Sequence, residues 1–83
     1  MAPDSTDVIL KALGTKIRSR RELIGLTQDQ FAKQAGFLKQ YANRLESGQQ
    51  NLNMRTLVRI ATALDMTLSE LFEGLEKRAK DGR

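Results

Sequence analysis

Residues 26–46, LTQDQFAKQAGFLKQYANRLE, hold two short helical patterns that meet around a glycine. In the first, residues 28–35, Phe31, Ala32 and Ala35 share one stripe at helical spacing, and Thr27 precedes them as an N-cap. Gly36 follows the last periodic residue, where a left-handed glycine closes a helix without a Cβ penalty. The second pattern begins at Leu38 or Lys39 and runs to Ser47. It turns Ala42 and Leu45 inward, leaves Lys39, Gln40, Asn43 and Arg44 facing outward, and stops at Gly48.

Upstream, Val8 or Ile9, Leu13, Ile17 and Ile24 recur at spacings near three and four residues or their sums, which predicts a long first helix over residues 6–23 that ends at Gly25. Ser5 or Thr6 is in place to cap it. Its polar face carries Lys11, Lys16, Arg18 and Arg20, and two readings stand for that face: contact with phosphate, or a solvated basic surface. Downstream, residues 48–51 read as a polar loop and Asn53 as the N-cap of a fourth helix, whose inward stripe is Leu57, Ile60, Ala61 and Leu64. Asp65 and Met66 form a short link. Thr67 and Glu70 then fit a capping box, in which each side chain satisfies the other residue's free backbone donor, and it opens a fifth helix with Leu68, Leu71 and Phe72 inward. Gly74 either ends that helix or sits inside it.

This pattern predicts an all-α chain of five helices without a strand. The expected core is Leu13, Ile17, Leu26, Phe31, Ala32, Ala35, Ala42, Leu45, Leu57, Ile60, Ala61, Leu64, Leu68, Leu71 and Phe72. Phe31, Phe37 and Phe72 fit core or turn positions better than a base-stacking platform, which needs an aromatic-studded sheet. Residues 1–4 read as a flexible N-terminus, residues 5–76 as one domain, and residues 77–83, KRAKDGR, as a flexible basic tail.

The 83 residues suffice for one small core. With no Cys and no His, disulfides, thiolate chemistry, cysteine zinc sites and the commonest general base are all excluded, and no metal or cofactor is expected. No apolar run approaches the roughly 18 residues that span a membrane. The N-terminus lacks a signal-peptide layout, so the expected location is the cytoplasm. The net charge is +4. Lys and Arg outnumber Asp and Glu by 8 to 5 over residues 1–51 and by 6 to 5 over residues 52–83, so the basic excess leans toward the half with the paired helices. That bias suits a polyanionic partner.

A helix, a short glycine turn and a second helix form the arrangement that presents its second helix to the DNA major groove. The chain resembles the Cro and phage-repressor type of helix-turn-helix, the XRE family, whose elements stand here as Leu26-Thr27-Gln28, Phe31-Ala32, Ala35-Gly36, Tyr41, Leu45-Glu46, Gly48, Leu57, Ile60-Ala61, Ala63-Leu64 and Leu68-Ser69-Glu70-Leu71-Phe72. The resemblance spans residues 13–73 with every gap in register. Phe37 and Leu38 depart from it, standing where Val or Ile and then a capping Ser or Thr are common, and Leu52 stands where Pro is frequent. In size the chain is similar to the small controller proteins of restriction and modification systems.

What the resemblance implies is a lambda-repressor-like five-helix bundle that binds double-stranded DNA as a transcriptional regulator. Lys39, Gln40 and Arg44 match positions used for base contacts, and Asn43 shares their face. Arg and Lys suit the O6 and N7 of guanine, and Gln and Asn suit the N6 and N7 of adenine. Gln28 matches a backbone-contacting position, and Thr27, Tyr41, Gln49 and Asn51 are further candidates for the backbone. For Tyr41, half-buried packing is the competing reading. Arg21 matches the arginine that pairs with a glutamate at the end of the reading helix, here Glu46.

An enzyme does not fit, because the carboxylates occupy cap, surface or ion-pair contexts and no nucleophile has a base beside it. A single reading helix covers few base pairs, so a homodimer on a twofold operator is expected, its two reading helices about 34 Å apart. Leu52, Met54, Met66 and Leu75 are the apolar candidates for its interface. The alternative is an antitoxin or adaptor that uses the same fold to bind a partner protein. Against it, only about ten residues follow Phe72 to cover such a partner.

Overall fold

The structure, a computed structural model, describes residues 5–76. The readings of residues 1–4 and 77–83 as flexible ends lie outside the described residues. Five α-helices follow in order: α1 (Thr6–Leu23), α2 (Gln28–Ala35), α3 (Lys39–Glu46), α4 (Met54–Ala63) and α5 (Leu68–Phe72). No strand occurs among the described residues.

Local chemistry sets most of the boundaries. Thr27 Oγ1 accepts from the Gln30 amide at 3.1 Å while Gln30 Oε1 accepts from the Thr27 amide at 2.8 Å, a full capping box at the start of α2. Thr67 and Glu70 make the same exchange at α5, at 3.0 and 2.9 Å. Asn53 caps α4 through Oδ1, which accepts from the Thr56 amide at 2.9 Å. Ser5 occupies the cap position of α1 without a side-chain cap bond. Helix α2 ends at Gly36, whose φ of 77° lets its own amide and that of Phe37 donate back to the Lys33 and Ala32 carbonyls.

The core sits where all five helices and the Leu75 turn converge. Ile17, Phe31, Ile60, Leu64 and Leu71 are fully enclosed, and each such side chain contributes about 1.5–3 kcal/mol of transfer free energy. Leu13, Ala32, Ala35, Ala42, Leu45 and Ala61 join them as expected. Leu26, Leu57 and Leu68 are only partly buried against this cluster. Of the two alternatives in α1, Ile9 packs on the core and Val8 is exposed. Ile24, the C-cap of α1, is 38% exposed and is not part of the core.

Two expectations at the C-terminal end are corrected. Phe72 is 40% exposed and is not a core residue. Helix α5 has only five residues and stops at Phe72; the chain then turns through Gly74 at φ 81° and returns Leu75 to the core at 3% exposure. Leu75 therefore belongs inside one chain and is not part of a partner surface. Ala12, at 8% exposure, is a further core residue outside the expected set.

Helix α1 is tied down by its basic face. Arg20 Nε donates to the Leu64 carbonyl at 2.9 Å and Nη2 to the Asp65 carbonyl at 3.1 Å, satisfying acceptors that the end of α4 leaves open. One turn earlier, Lys16 Nζ donates to the Glu73 carbonyl at 2.7 Å beyond α5. These two cations hold helix ends together.

Candidate nucleic-acid interface

Helix α3 leans on α1 at a point where no side chain would fit. A Cβ at Gly14 would lie 2.5 Å from the Glu46 carbonyl oxygen and 2.6 Å from that of Leu45, well inside contact distance. The backbone of α1 thus meets the last turn of α3 directly. A glycine inside a helix costs about 0.5–1 kcal/mol relative to alanine, and here that cost secures the closest approach between the two helices. An isolated glycine in an otherwise periodic helical pattern was the signal available in the sequence.

About two turns further along α1, Arg21 reaches the same end of α3. Its Nε donates to Glu46 Oε2 at 2.7 Å and its Nη2 to Glu46 Oε1 at 3.0 Å, while Nη1 donates to the Leu26 carbonyl at 2.9 Å. The side chains are 11% and 5% exposed. The hydrogen bond to Glu46, with help from the charges of Glu46 and Glu22 and against the cost of burial, raises the Arg21 guanidinium above its ordinary value. The expected pair is therefore present, as a two-pronged clamp that also fixes the loop entering α2.

The clamp continues onto the exposed face. Gln28 Nε2, at the first position of α2, donates to Glu46 Oε1 at 3.3 Å, and Asn43 Nδ2 donates to Gln28 Oε1 at 3.4 Å. Glu46 is thereby engaged by Arg21 and Gln28 together, and its negative charge is compensated before any phosphate approaches. One N–H of the Gln28 amide remains to donate outward.

Gln28, Lys39, Gln40, Asn43, Arg44 and Gln49 line one open concavity of about 360 Å³. The structure brings together all four residues of the expected base-reading face with two of the expected backbone-contacting residues. Lys39, Gln40, Asn43 and Arg44 are exposed, and no acidic side chain shares the lining. Gln49 is set there by the turn that ends α3, where its amide donates to the Arg44 carbonyl at 2.9 Å.

The remaining candidates lie beside the concavity. Thr27 is exposed, and its hydroxyl, which accepts from Gln30, keeps its own proton for donation. Asn51 is exposed in the loop before α4. Tyr41 is half-buried, its ring 4.9 Å from that of Phe37, which in turn meets Phe31 edge-on at 6.3 Å. That row anchors the turn between α2 and α3. Among the four apolar interface candidates, Met54 is 62% exposed, Leu52 and Met66 are partly buried, and Leu75 is buried.

A model of the family described as helix-turn-helix matches residues 17–71, most of the chain. The chain belongs to the helix-turn-helix family. Its XRE-type members are DNA-binding regulators and not enzymes. This helix-turn-helix protein is 37% identical over 65 residues to the control protein C.MunI of a Mycoplasma species, a match covering 77% of this chain and 88% of the relative. It is 35% identical to the restriction-modification controller protein C.AhdI of Aeromonas hydrophila, with a TM-score of 0.73, covering 76% of this chain and 96% of that one. The clp gene regulator ClgR of Corynebacterium glutamicum is 22% identical with a TM-score of 0.79 over 86% of this chain and 91% of that one, and it shares the fold. Among the described residues, no helix is long and apolar enough to cross a membrane.

Proposed function

We propose that this helix-turn-helix regulator binds a specific double-stranded operator by placing α3 in the major groove. The observation that carries this reading is the convergence of Gln28, Lys39, Gln40, Asn43, Arg44 and Gln49 on one acid-free concavity at the exposed face of α3. Lys39 and Arg44 supply donors for guanine, and Gln40 and Asn43 supply the paired donor and acceptor that adenine requires. Gln28, beside the N-terminus of α2, donates to a backbone phosphate and fixes register, with Thr27, Gln49, Asn51 and the Tyr41 hydroxyl as further backbone contacts.

The reading extends to a twofold homodimer and to a cytoplasmic location. Met54 and Val58, one turn apart on α4, are 62% and 46% exposed and offer an apolar stripe next to the partly buried Leu52. Likeness to two controller proteins supports regulation of a restriction and modification system as the biological setting. Selection of bound sequences from random duplex DNA tests the whole reading. The expected product is a motif with two inverted half-sites, and recovery of no enriched sequence would sink it.

A further inference from the structure

Leu38 has no structural reason to be a leucine. It is the N-cap of α3, with φ −73° and ψ 151°, and its side chain makes no cap bond. Helices α2, α4 and α5 all begin with a residue whose side chain accepts from the third helical amide. A leucine in that position cannot accept from the third helical amide, that of Tyr41, and it exposes apolar surface as well. Leu38 is 75% exposed, although Phe37 before it and Ala42 after it are drawn into the packing. Among the described residues, neither a side-chain cap bond nor burial offsets these costs at Leu38.

Its neighbours say where it stands. Lys39 and Gln40, the next two residues, line the polar concavity, and Leu38 directly precedes them as the N-cap of α3. Leu38 is thus the exposed apolar residue nearest in sequence to the side chains that line the concavity. In the major groove, the one apolar feature a base pair presents is the 5-methyl group of thymine. A protein partner would also accept a leucine, but it would have to share the ground held by Lys39 and Gln40.

We propose that Leu38 is a specificity-determining residue that reads the 5-methyl group of a thymine in each half-site, next to the bases read by Lys39 and Gln40. This rests on α3 being the groove-reading helix. The side chain covers the methyl group and excludes water from it. It discriminates thymine from cytosine, which has no methyl group there.

The test uses the full chain and the sequence it selects. Each thymine of that duplex is replaced in turn by deoxyuridine, which removes the methyl group and keeps the O4 acceptor and the pairing. One position in each half-site should then bind the protein about fourfold more weakly, the value of one buried carbon group. Leu38→Ala should bind the unmodified duplex more weakly by a similar factor and be indifferent to the same replacement, with its thermal melting retained as a check on folding. A scan with no sensitive thymine, or one that stays sensitive in Leu38→Ala, overturns the inference; a leucine seated on a protein partner gives the first of these results. Arg44→Ala separates the two levels. If it loses affinity and base preference while Leu38→Ala does not, only the role of Leu38 fails, whereas if it keeps both, the groove-reading helix fails and the inference with it.

Discussion

Arg21 and Glu46 are joined by two hydrogen bonds, 2.7 and 3.0 Å long, across the junction of α1 and α3. The pair does more than attach one helix to another. Arg21 also holds the Leu26 carbonyl, and Glu46 also accepts from Gln28, so a single ion pair orients both helices of the motif with respect to α1. Its net stabilisation is limited by desolvation, but losing one partner strands the other in a site that is nearly closed to water.

Arg21→Ala and Glu46→Ala are therefore each expected to lower unfolding free energy by about 3 kcal/mol. Replacing both residues by well-packed apolar ones should cost much less than the sum. Urea titrations of the single and double variants measure this. Additive losses would show that the two side chains act independently.

The chain was legible in its helices and less so in the details of its packing. Caps at Thr27, Asn53 and Thr67 follow from local chemistry, which acts within four residues and needs no tertiary context. The polar face of α3 follows from helical periodicity. Phe72 and Leu75 exchanged their expected places: Leu71 and Leu75 fill the inward positions, which leaves the adjacent Phe72 outward, and a glycine in sequence does not announce whether the chain will turn there, as Gly74 does. The basic face of α1 was ambiguous for a similar reason: the carbonyls that Lys16 and Arg20 bind belong to residues 44 to 57 positions away, beyond any local pattern.

Gly14→Ala should destabilise the domain by about 1–3 kcal/mol, the usual cost of forcing extra volume into a closed contact. The obstruction is backbone, at 2.5 and 2.6 Å, so it cannot swing aside as a side chain would. Moving α3 outward would lengthen the Arg21 clamp as well. Chemical denaturation gives the stability, and DNA binding by the folded fraction should also weaken. Unchanged stability would mean that the helices are not pressed together at this point.

Leu38→Ser should raise stability by about 1 kcal/mol, because serine can cap α3 where leucine cannot. For a domain of this size that is a rise in melting temperature of roughly 4–8 °C. A variant that melts no higher would show that the amides at the start of α3 are already satisfied.

The α5 cap has a pH signature. Hydrogen bonds from the Thr67 amide, and then from its side chain, hold the Glu70 carboxyl below its ordinary value of 4.5. The folded state thus binds the proton less readily than the unfolded chain, and the capping contribution is complete above the unfolded value. It is lost as pH falls through the lower, folded one. Stability should therefore decline as pH drops below about 4.5, and Glu70→Gln, which cannot titrate, should show a shallower decline over that range. Denaturation curves from pH 6 down to about pH 3 compare them; parallel declines in the two proteins would exclude Glu70 as a contributor.

Arg44 and Gln28 face the same concavity and should fail in different ways when removed. Arg44 stands on the exposed face of α3 with no ion-pair partner among the described residues, and its guanidinium can donate two parallel hydrogen bonds to a guanine edge. Arg44→Ala should cost about 1–3 kcal/mol on the preferred site and relax preference at one base pair of each half-site. Gln28 is held by Glu46 and Asn43 with one N–H left over, and the role proposed for it is to contact the sugar-phosphate backbone, which is the same for every sequence. Gln28→Ala should accordingly weaken binding by a similar factor on preferred and scrambled duplexes. Titrations of both variants against both duplexes at one fixed salt concentration measure the contrast. If Arg44→Ala left affinity and base preference intact in a folded protein, α3 would not be the helix that reads the bases.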